Sequence, residues 1–167
     1  MKPWEVEKSK YILKSPWINL REDKCRLDNG HSIDPFYVIE CPAWVNIVAI
    51  DEKQRILLVR QYRHPVKEFS LEVPAGNIDS GETPLEAAKR ELTEETGYTA
   101  DNFTQISKFH ANSGRQDNWV YTFLAEKISR TQFPAPDYSE QLETHLIPLN
   151  EINDLIKKEK ITQGLHI

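Results

Sequence analysis

The stretch RELTEETG, residues 90–97, places three glutamates, Glu91, Glu94 and Glu95, within five positions. In a helix these side chains lie three or four residues apart, where like charges destabilise by a few tenths of a kcal/mol per pair. At about 100° per residue they share one sector of the helix surface, and Arg90 can pair with Glu94 one turn away. The cluster is therefore either a solvated acidic face or a site for a hard cation, since Mg²⁺ prefers oxygen ligands.

The helix that carries these glutamates has well-marked ends. Thr83 is a good N-cap, Pro84 suits the first helical position, and Glu86 completes a capping box. Gly97 stands where a C-terminal cap belongs. These signals predict a helix over residues 84–96.

The apolar residues of the same helix indicate how it packs. Leu85 and Leu92 lie towards one edge, where we expect them to bury against a sheet. Ala87 and Ala88 have small side chains, which we expect to leave room above the carboxylates.

The rest of the chain is rich in strand signals. Asn29-Gly30 predicts a two-residue hairpin turn within residues 24–33. β-Branched and aromatic runs predict further strands, at 9–14, 17–22, 36–40, 44–50, 55–62, 71–76, 103–109, 118–125 and 143–149. A Pro-containing loop covers 130–141, and a second helix is predicted over 150–159. This order of elements predicts an α+β fold with a mixed sheet between helices.

Composition narrows the class of protein. The 167 residues fit one domain with a core and leave room for a small appended piece. The net charge of −5 gives no general attraction to nucleic acid or anionic membrane. No apolar run approaches the roughly 20 residues of a membrane span, and the N-terminus lacks a secretory signal. We therefore expect a cytoplasmic protein. Cys25 and Cys41 are expected to be free thiols rather than a disulfide.

The segment from Gly76, GNIDSGETPLEAAKRELTEETGY, resembles the Nudix box G-x5-E-x7-R-E-U-x-E-E-x-G-U, where U is a bulky apolar residue. Every fixed position matches, and Tyr98 stands where an aliphatic residue is commoner. The resemblance implies a Nudix-type α/β/α sandwich over residues 43–167, preceded by a β-rich extension over 1–42. Gly76 and Gly81 are expected to let the loop before the helix turn sharply.

The resemblance also implies a reaction, the hydrolysis of a nucleoside diphosphate linked to another moiety with Mg²⁺ or Mn²⁺. Such ions polarise phosphoryl oxygens and lower the pKa of bound water. By analogy the metal ligands are the carboxylates of Glu91, Glu95 and Glu94 and the carbonyl oxygen of Ala75.

Two further roles follow from the resemblance. Arg90 would orient the glutamates, and Glu82 would support Arg90 or join a metal shell. The catalytic base of the family often comes from a late loop, where Glu140 and Glu143 are the candidates. Glu140 is preferred because Glu143 begins a predicted strand.

The segment RQYRHPVKEFSLEVPAG, residues 60–76, resembles the ADP-ribose and nucleotide-sugar pyrophosphatase branch of the family. By analogy Arg63 and Glu72 lie at the substrate cleft with Gln61 nearby, although the first two residues could instead form a structural ion pair. Arg115, in a later loop, is a candidate contact for a phosphate or a sugar.

This branch commonly uses its N-terminal extension to build a homodimer with a shared site. A tryptophan of that extension is a candidate for stacking on the nucleotide base, and the available aromatic residues are Trp4, Trp17, Trp44, Trp119, Tyr11 and Phe36. The sequence FHANSGRQDN lacks a proline that is common in ADP-ribose-specific members. Other nucleoside diphosphate sugars therefore stay open as substrates. Relatives usually continue into another helix after the point where this chain ends in GLHI.

Two alternatives stay open. The first is a Nudix hydrolase that uses the same box on another nucleotide, such as GDP-mannose, a dinucleoside polyphosphate or a capped RNA. No strongly basic segment lies near the box to favour a nucleic-acid substrate. A non-catalytic Nudix module that binds a nucleotide is the second, and it is disfavoured because the box keeps every glutamate.

Overall fold

The computed structural model describes residues 1–16, 18–136, 138 and 140–166. The chain divides into two compact units. The first comprises Met1–Pro42 and His110–Trp119, and the second comprises Ala43–Phe109 and Val120–Ile167.

The first unit is built on a three-stranded antiparallel sheet in the order β1-β2-β3. Its strands are β1 (Glu5–Lys14), β2 (Asn19–Arg26) and β3 (Ser32–Glu40). The predicted strands of this region are confirmed, and β1 begins four residues earlier than expected.

The turn between β2 and β3 is longer than the sequence indicated. The Leu27 N–H donates to the His31 carbonyl oxygen at 2.8 Å, which leaves three residues at the tip. Gly30 takes φ +84° there, a left-handed conformation that glycine adopts without strain. The prediction of a two-residue turn is therefore wrong, while the hairpin itself is confirmed.

The second unit contains a seven-stranded mixed sheet in the order β12-β5-β4-β10-β9, with β6 beside β5 and β7 beside β4. Strands β4 and β10 run parallel, whereas β5 pairs antiparallel with β4, β6 and β12. A two-stranded ribbon joins β8 and β11. The strands are β4 (Trp44–Ile50), β5 (Arg55–Arg63), β6 (Glu68–Glu72), β7 (Ala75–Asn77), β8 (Tyr98–Thr99), β9 (Asn102–His110), β10 (Trp119–Glu126), β11 (Ser129–Arg130) and β12 (Glu143–Pro148).

Helix α1 (Pro84–Thr96) has the predicted bounds. The Thr83 hydroxyl accepts the Glu86 N–H at 3.3 Å, and the Glu86 carboxylate accepts the Thr83 N–H at 2.8 Å, which is a capping box. Gly97 closes the other end at φ 74°, with its N–H donating to the Thr93 carbonyl oxygen.

Two buried clusters cover the two faces of the sheet. Alternate residues of a strand point to opposite faces, so Leu57 of β5 packs in one cluster with Leu92 of α1. Its neighbours Ile56 and Leu58 pack in the other, against the apolar residues of α2 (Ile152–Lys157). Helices on both faces of one mixed sheet make the predicted α/β/α arrangement.

Three expectations about these elements are wrong. Ala87 and Ala88 are fully buried in the core under α1 instead of leaving space near the carboxylates, and Leu85 is exposed. The short strand predicted at 71–76, stopped by Pro74 and Gly76, corresponds to the end of β6; β7 begins after Pro74, which has no N–H for a continuous ladder. The predicted helix 150–159 is a 3₁₀ turn, Leu149–Glu151, followed by the shorter α2.

Two further observations concern the whole of the described chain. Cys25 and Cys41 are free thiols, as predicted. No helix among the described residues has the length and apolar character needed to cross a membrane.

Candidate active site

Arg90 links helix α1 to the loop before it. Its Nε and Nη2 donate to the two carboxylate oxygens of Glu82, each at 2.9 Å. Nη1 donates to Glu91 at 2.9 Å and to Glu94 at 3.1 Å, and Nη2 also donates to the Asn77 carbonyl oxygen at 2.9 Å. One guanidinium therefore fixes the positions of two predicted metal ligands, which is the orienting contact predicted for it.

The charges around Arg90 stabilise one another. The hydrogen bonds that Arg90 donates to Glu82, followed by those to Glu91 and Glu94, raise the pKa of the Arg90 guanidinium above its usual value. In return, the hydrogen bonds from Arg90 lower the pKa of the Glu82 carboxyl. Glu82 is thus held as a carboxylate on the guanidinium of Arg90.

The Glu91 carboxyl lies directly against the backbone of Gly76. A Cβ atom added to Gly76 would lie 2.1 Å from Glu91 Oε1 and 2.2 Å from Cδ. Gly76 belongs to β7 and pairs with Val45. Of the two glycines expected to turn the loop, Gly81 has a positive φ, at +87°, and Gly76 does not. The sharp turn expected at Gly76 is therefore wrong, and the residue is needed there because any side chain would displace Glu91.

Glu95 is the most deeply buried acid of the box, 4% exposed. Its Oε2 accepts the Ala75 N–H at 3.1 Å, so two of the predicted ligands are in contact. Burial, and then the nearby charge of Glu91, raises the pKa of the Glu95 carboxyl well above its usual range. Burial likewise raises the pKa of Glu91 to about 7, against the opposing effect of Arg90.

This pair of carboxyl groups fits a divalent cation. Two buried acids with raised pKa values are stabilised in their charged forms by a neighbouring positive charge, and their donor atoms are the oxygens that Mg²⁺ and Mn²⁺ accept. In the described part of the chain no three His, Cys, Asp or Glu side chains converge as a complete metal site. Mg²⁺ does not need one, since it usually takes one or two carboxylates and completes its shell with water and substrate phosphate.

The two candidate bases have different surroundings. The negative charge of Glu140 contributes to the raised pKa values of both Glu91 and Glu95, so this partly buried residue lies on their side of the molecule. Glu143 belongs to β12 and is 64% exposed, with its carboxylate accepting from Arg60 Nη1 at 3.1 Å. The surroundings of Glu140 support its choice as the base.

Arg63 and Glu72 form a buried ion pair between β5 and β6. Arg63 Nε donates to Glu72 Oε1 at 2.9 Å, Nη2 donates to Oε2, and the Glu72 side chain is only 1% exposed. The hydrogen bond to Glu72 raises the pKa of Arg63, with further contributions from the charges of Glu95 and Glu140. These hydrogen bonds match the structural ion pair that the sequence left open. The effect of the Glu95 and Glu140 charges on Arg63 indicates that the pair lies near these two acidic residues. Gln61 is partly exposed on β5, opposite Ser70 of β6.

The last predicted contact, Arg115, belongs to the first unit. Its guanidinium carbon lies 5.6 Å from the centre of the Phe36 ring, and Phe36 meets the Trp4 ring edge-to-face at 5.7 Å. Trp4 is partly exposed. An arginine and two aromatic rings are therefore adjacent on this unit.

The other aromatic candidates make contacts of their own. Tyr11 donates its hydroxyl to Glu40, Trp44 donates its indole N–H to Asn46, and the Trp119 ring lies 3.7 Å from that of His110. Trp17 lies outside the described residues.

Family models match nearly the whole chain. The NUDIX domain model matches residues 42–165. The chain belongs to the Nudix family. A second model, the nucleoside diphosphate sugar hydrolase N-terminal domain, matches residues 4–39 of this Nudix protein.

Individual relatives agree with that family. An ADP-ribose pyrophosphatase of Bacillus subtilis (strain 168) is 32% identical over 151 residues, covering 90% of this chain and 81% of the relative. A methanol dehydrogenase activator of Bacillus methanolicus is 30% identical over 155 residues, covering 92% and 83%. The crystal structure of an ADP compounds hydrolase superposes with a TM-score of 0.87 at 22% identity, over 99% of this chain and 89% of that one.

These comparisons confirm the predicted family, its nucleoside diphosphate sugar hydrolase branch and the Nudix-type fold. Nudix ADP-ribose pyrophosphatases generally depend on a divalent metal ion. The roles of individual residues, the division at residues 1–42 and 43–167, the homodimer and the cytoplasmic location stay predictions.

Two contacts at this site had no signal in the sequence. The carbonyl oxygen of Asn77 accepts from Arg90, but Asn77 stands at an unspecified position of the box. His166, far along the chain, is buried with its Nε2 3.5 Å from Glu72 Oε2. No motif connects a residue at position 166 with one at position 72, so only the fold reveals this approach.

Proposed function

We propose that this Nudix hydrolase cleaves the pyrophosphate bond of nucleoside diphosphate sugars such as ADP-ribose, releasing a nucleoside monophosphate and a sugar phosphate. The observation that carries the proposal is the buried pair Glu91 and Glu95 on the helix of the Nudix box, where Arg90 holds Glu91 and the Ala75 N–H donates to Glu95. The ADP-ribose pyrophosphatase and nucleoside diphosphate sugar hydrolase names of its matches support the substrate class.

The chemistry follows from the positions of the side chains. Mg²⁺ or Mn²⁺ held by Glu91, Glu95, Glu94 and the Ala75 carbonyl would polarise the phosphoryl oxygens and make water more acidic. Arg90 keeps the carboxylates of Glu91 and Glu94 in fixed orientations, which limits the reorganisation needed when substrate binds.

Glu140 accepts a proton from the attacking water. Its negative charge acts on Glu91 and Glu95, so it lies on the side of the molecule where the diphosphate is held. As the water oxygen bonds to one phosphorus atom, the bridging P–O bond breaks and the second phosphate leaves. Glu143 is the less suitable candidate, because its exposed carboxylate pairs with Arg60.

Several residues are candidates for substrate recognition. Arg63, with Glu72 and Gln61, contacts the diphosphate or the sugar next to the acidic cluster. In the first unit, Arg115 contacts a phosphate or sugar, and Trp4 stacks on the base beside Phe36.

We further propose that the protein works as a cytoplasmic homodimer with its N-terminal extension at the interface. Val6, Tyr11, Ile12 and Leu13 of β1 are each about half exposed. A cluster of exposed apolar side chains of this kind is typical of an interaction surface.

Product analysis tests the function directly. The protein is incubated with Mg²⁺ and ADP-ribose, GDP-mannose or UDP-glucose in parallel, with diadenosine polyphosphate and capped RNA as competing substrates. We expect a nucleoside monophosphate and a sugar phosphate from at least one sugar nucleotide, and no turnover by Glu91→Gln or Glu95→Gln. Preference for the polyphosphate or the cap would favour the other nucleotide hydrolases, and binding without hydrolysis at saturating Mg²⁺ would favour a non-catalytic module.

A further inference from the structure

The C-terminal segment brings a histidine to the Arg63–Glu72 pair. Asn46 of β4 donates its side-chain N–H to the Leu165 carbonyl oxygen at 2.7 Å, which anchors the segment on the sheet. The next residue, His166, has a side chain only 1% exposed, and its Nε2 lies 3.5 Å from Glu72 Oε2. Glu72 is itself 1% exposed and accepts from Arg63 on both oxygens.

The buried position of the His166 ring lowers the stability of the folded protein. Neither Nδ1 nor Nε2 makes a hydrogen bond of normal geometry among the described residues, although both atoms are buried. A buried polar group without a good partner is destabilising, so an apolar side chain of similar size would be the better choice for packing alone. Burial lowers the pKa of His166 to about 4, with Arg63 acting in the same direction and Glu72 and the backbone of Val73 against it, so the ring is neutral at physiological pH.

A neutral imidazole has one N–H to donate and one nitrogen to accept. The side-chain acceptor near Nε2 is the Glu72 carboxylate, with Oε2 at 3.5 Å. This separation is longer than a normal hydrogen bond, and such contacts often tighten when the substrate complex forms. With Nε2–H directed to Glu72, Nδ1 remains a buried acceptor.

We propose that His166 is a positioning residue for substrate binding: its Nε2–H holds the Glu72 carboxylate and, through it, the Arg63 guanidinium in the orientation that receives the nucleotide sugar. This inference rests on the proposed function, because Arg63 and Glu72 matter for turnover only if they contact the substrate. It adds the C-terminal segment to the site, which the Nudix box and the upstream segment do not include.

Three substitutions separate positioning from packing. His166→Ala removes the ring, and His166→Phe keeps a ring of similar size without an N–H donor. His166→Gln keeps an N–H donor on a side chain of different shape. His145→Ala, a half-exposed histidine on β12, is the matched control. Steady-state kinetics with the best sugar nucleotide and saturating Mg²⁺ give kcat and KM for each, and thermal unfolding shows whether each variant folds.

We expect His166→Ala and His166→Phe to raise KM about tenfold or more with kcat within about threefold of wild type, since a contact that binds ground and transition states equally acts on KM. His166→Gln restores part of the loss, and His145→Ala behaves as wild type. A KM for His166→Phe equal to that of wild type would overturn the proposal, because packing alone would then explain the ring. An equal loss in Gln and Phe would overturn it too.

A measurement without turnover separates this inference from the proposed function. Imidazole ¹⁵N spectra of the wild-type protein should show a neutral His166 at pH 6 with the proton on Nε2, and Glu72→Gln should shift its resonances. A ring that titrates like an exposed histidine, or that ignores Glu72→Gln, would overturn the proposal even if sugar nucleotides are hydrolysed. If wild type hydrolyses no sugar nucleotide but the spectra are as expected, the contact stands and the proposed function fails.

Discussion

Gly76→Ala should inactivate the enzyme without unfolding it. The new Cβ would lie 2.1 Å from Glu91 Oε1, whereas ordinary van der Waals contacts begin at about 3.4 Å. The carboxylate must therefore move by about 1 Å or more. Gly76 has no positive φ, so alanine can adopt its backbone conformation, and the displaced atoms are the end of a flexible side chain.

A shift of about 1 Å in a catalytic group can cost on the order of 10²-fold in rate, which is about 2.7 kcal/mol in activation free energy. We expect kcat of Gly76→Ala to fall by roughly that factor, with a melting temperature within a few degrees of wild type. The assay is steady-state hydrolysis of the best sugar nucleotide with Mg²⁺, alongside thermal unfolding. Gly114→Ala is the control, because its Cβ would meet nothing closer than 3.7 Å.

A double-mutant cycle gives the sharper test. If Gly76→Ala acts through the Glu91 carboxylate, it should cost little further activity in a Glu91→Ala background, where no carboxylate remains to be displaced. The steric explanation would be refuted if Gly76→Ala lowered the activity of Glu91→Ala by the same factor as that of wild type. Wild-type activity in the Gly76→Ala single variant would refute it too.

Three further predictions concern the same cluster. Arg90→Lys should lower kcat by at least tenfold and destabilise the protein by about 1–2 kcal/mol, since the single ammonium group of lysine cannot replace the several N–H donors of Arg90. Steady-state kinetics and unfolding curves measure the two effects, and an unchanged kcat would contradict the orienting role. Because the folded-state pKa of Glu91 is raised to about 7 from 4.5, the metal-free protein should lose up to roughly 3 kcal/mol of stability as pH rises through that window. Saturating Mg²⁺ should remove much of this loss, and a metal-free protein of equal stability at pH 5 and pH 8 would contradict the burial effect. Glu140→Gln should reduce kcat by about 10²-fold or more, whereas Glu143→Gln should leave it within about twofold; the reverse order would assign the base to Glu143.

Local signals were enough to predict the central helix. The Thr83–Glu86 capping box and the Gly97 cap depend on residues within one helix, so the bounds of α1 match the prediction at both ends. The second helix lacks such caps, and Glu159, within the predicted span, has φ 55°. The sequence therefore overestimated its length.

Contacts between distant segments could not be read from the sequence. Gly76 was expected to make a turn, but its requirement comes from the Glu91 carboxyl, which arrives from another element. His166 meets Glu72 because the C-terminal segment packs on the sheet, where Asn46 of β4 donates to the Leu165 carbonyl oxygen. The motif identified which side chains are candidates for the chemistry, and the packing of the sheet shows what holds them.

The most direct measurement is metal binding at the Glu91–Glu95 pair. Mn²⁺ titration followed by electron paramagnetic resonance, with and without a non-hydrolysable diphosphate analogue of the substrate, gives affinity and stoichiometry in the absence of turnover. We expect wild type to bind Mn²⁺ more tightly when the analogue is present, and Glu91→Gln and Glu95→Gln to lose at least tenfold in affinity. Equal Mn²⁺ binding by wild type and both variants would contradict the assignment of these carboxylates as the metal site.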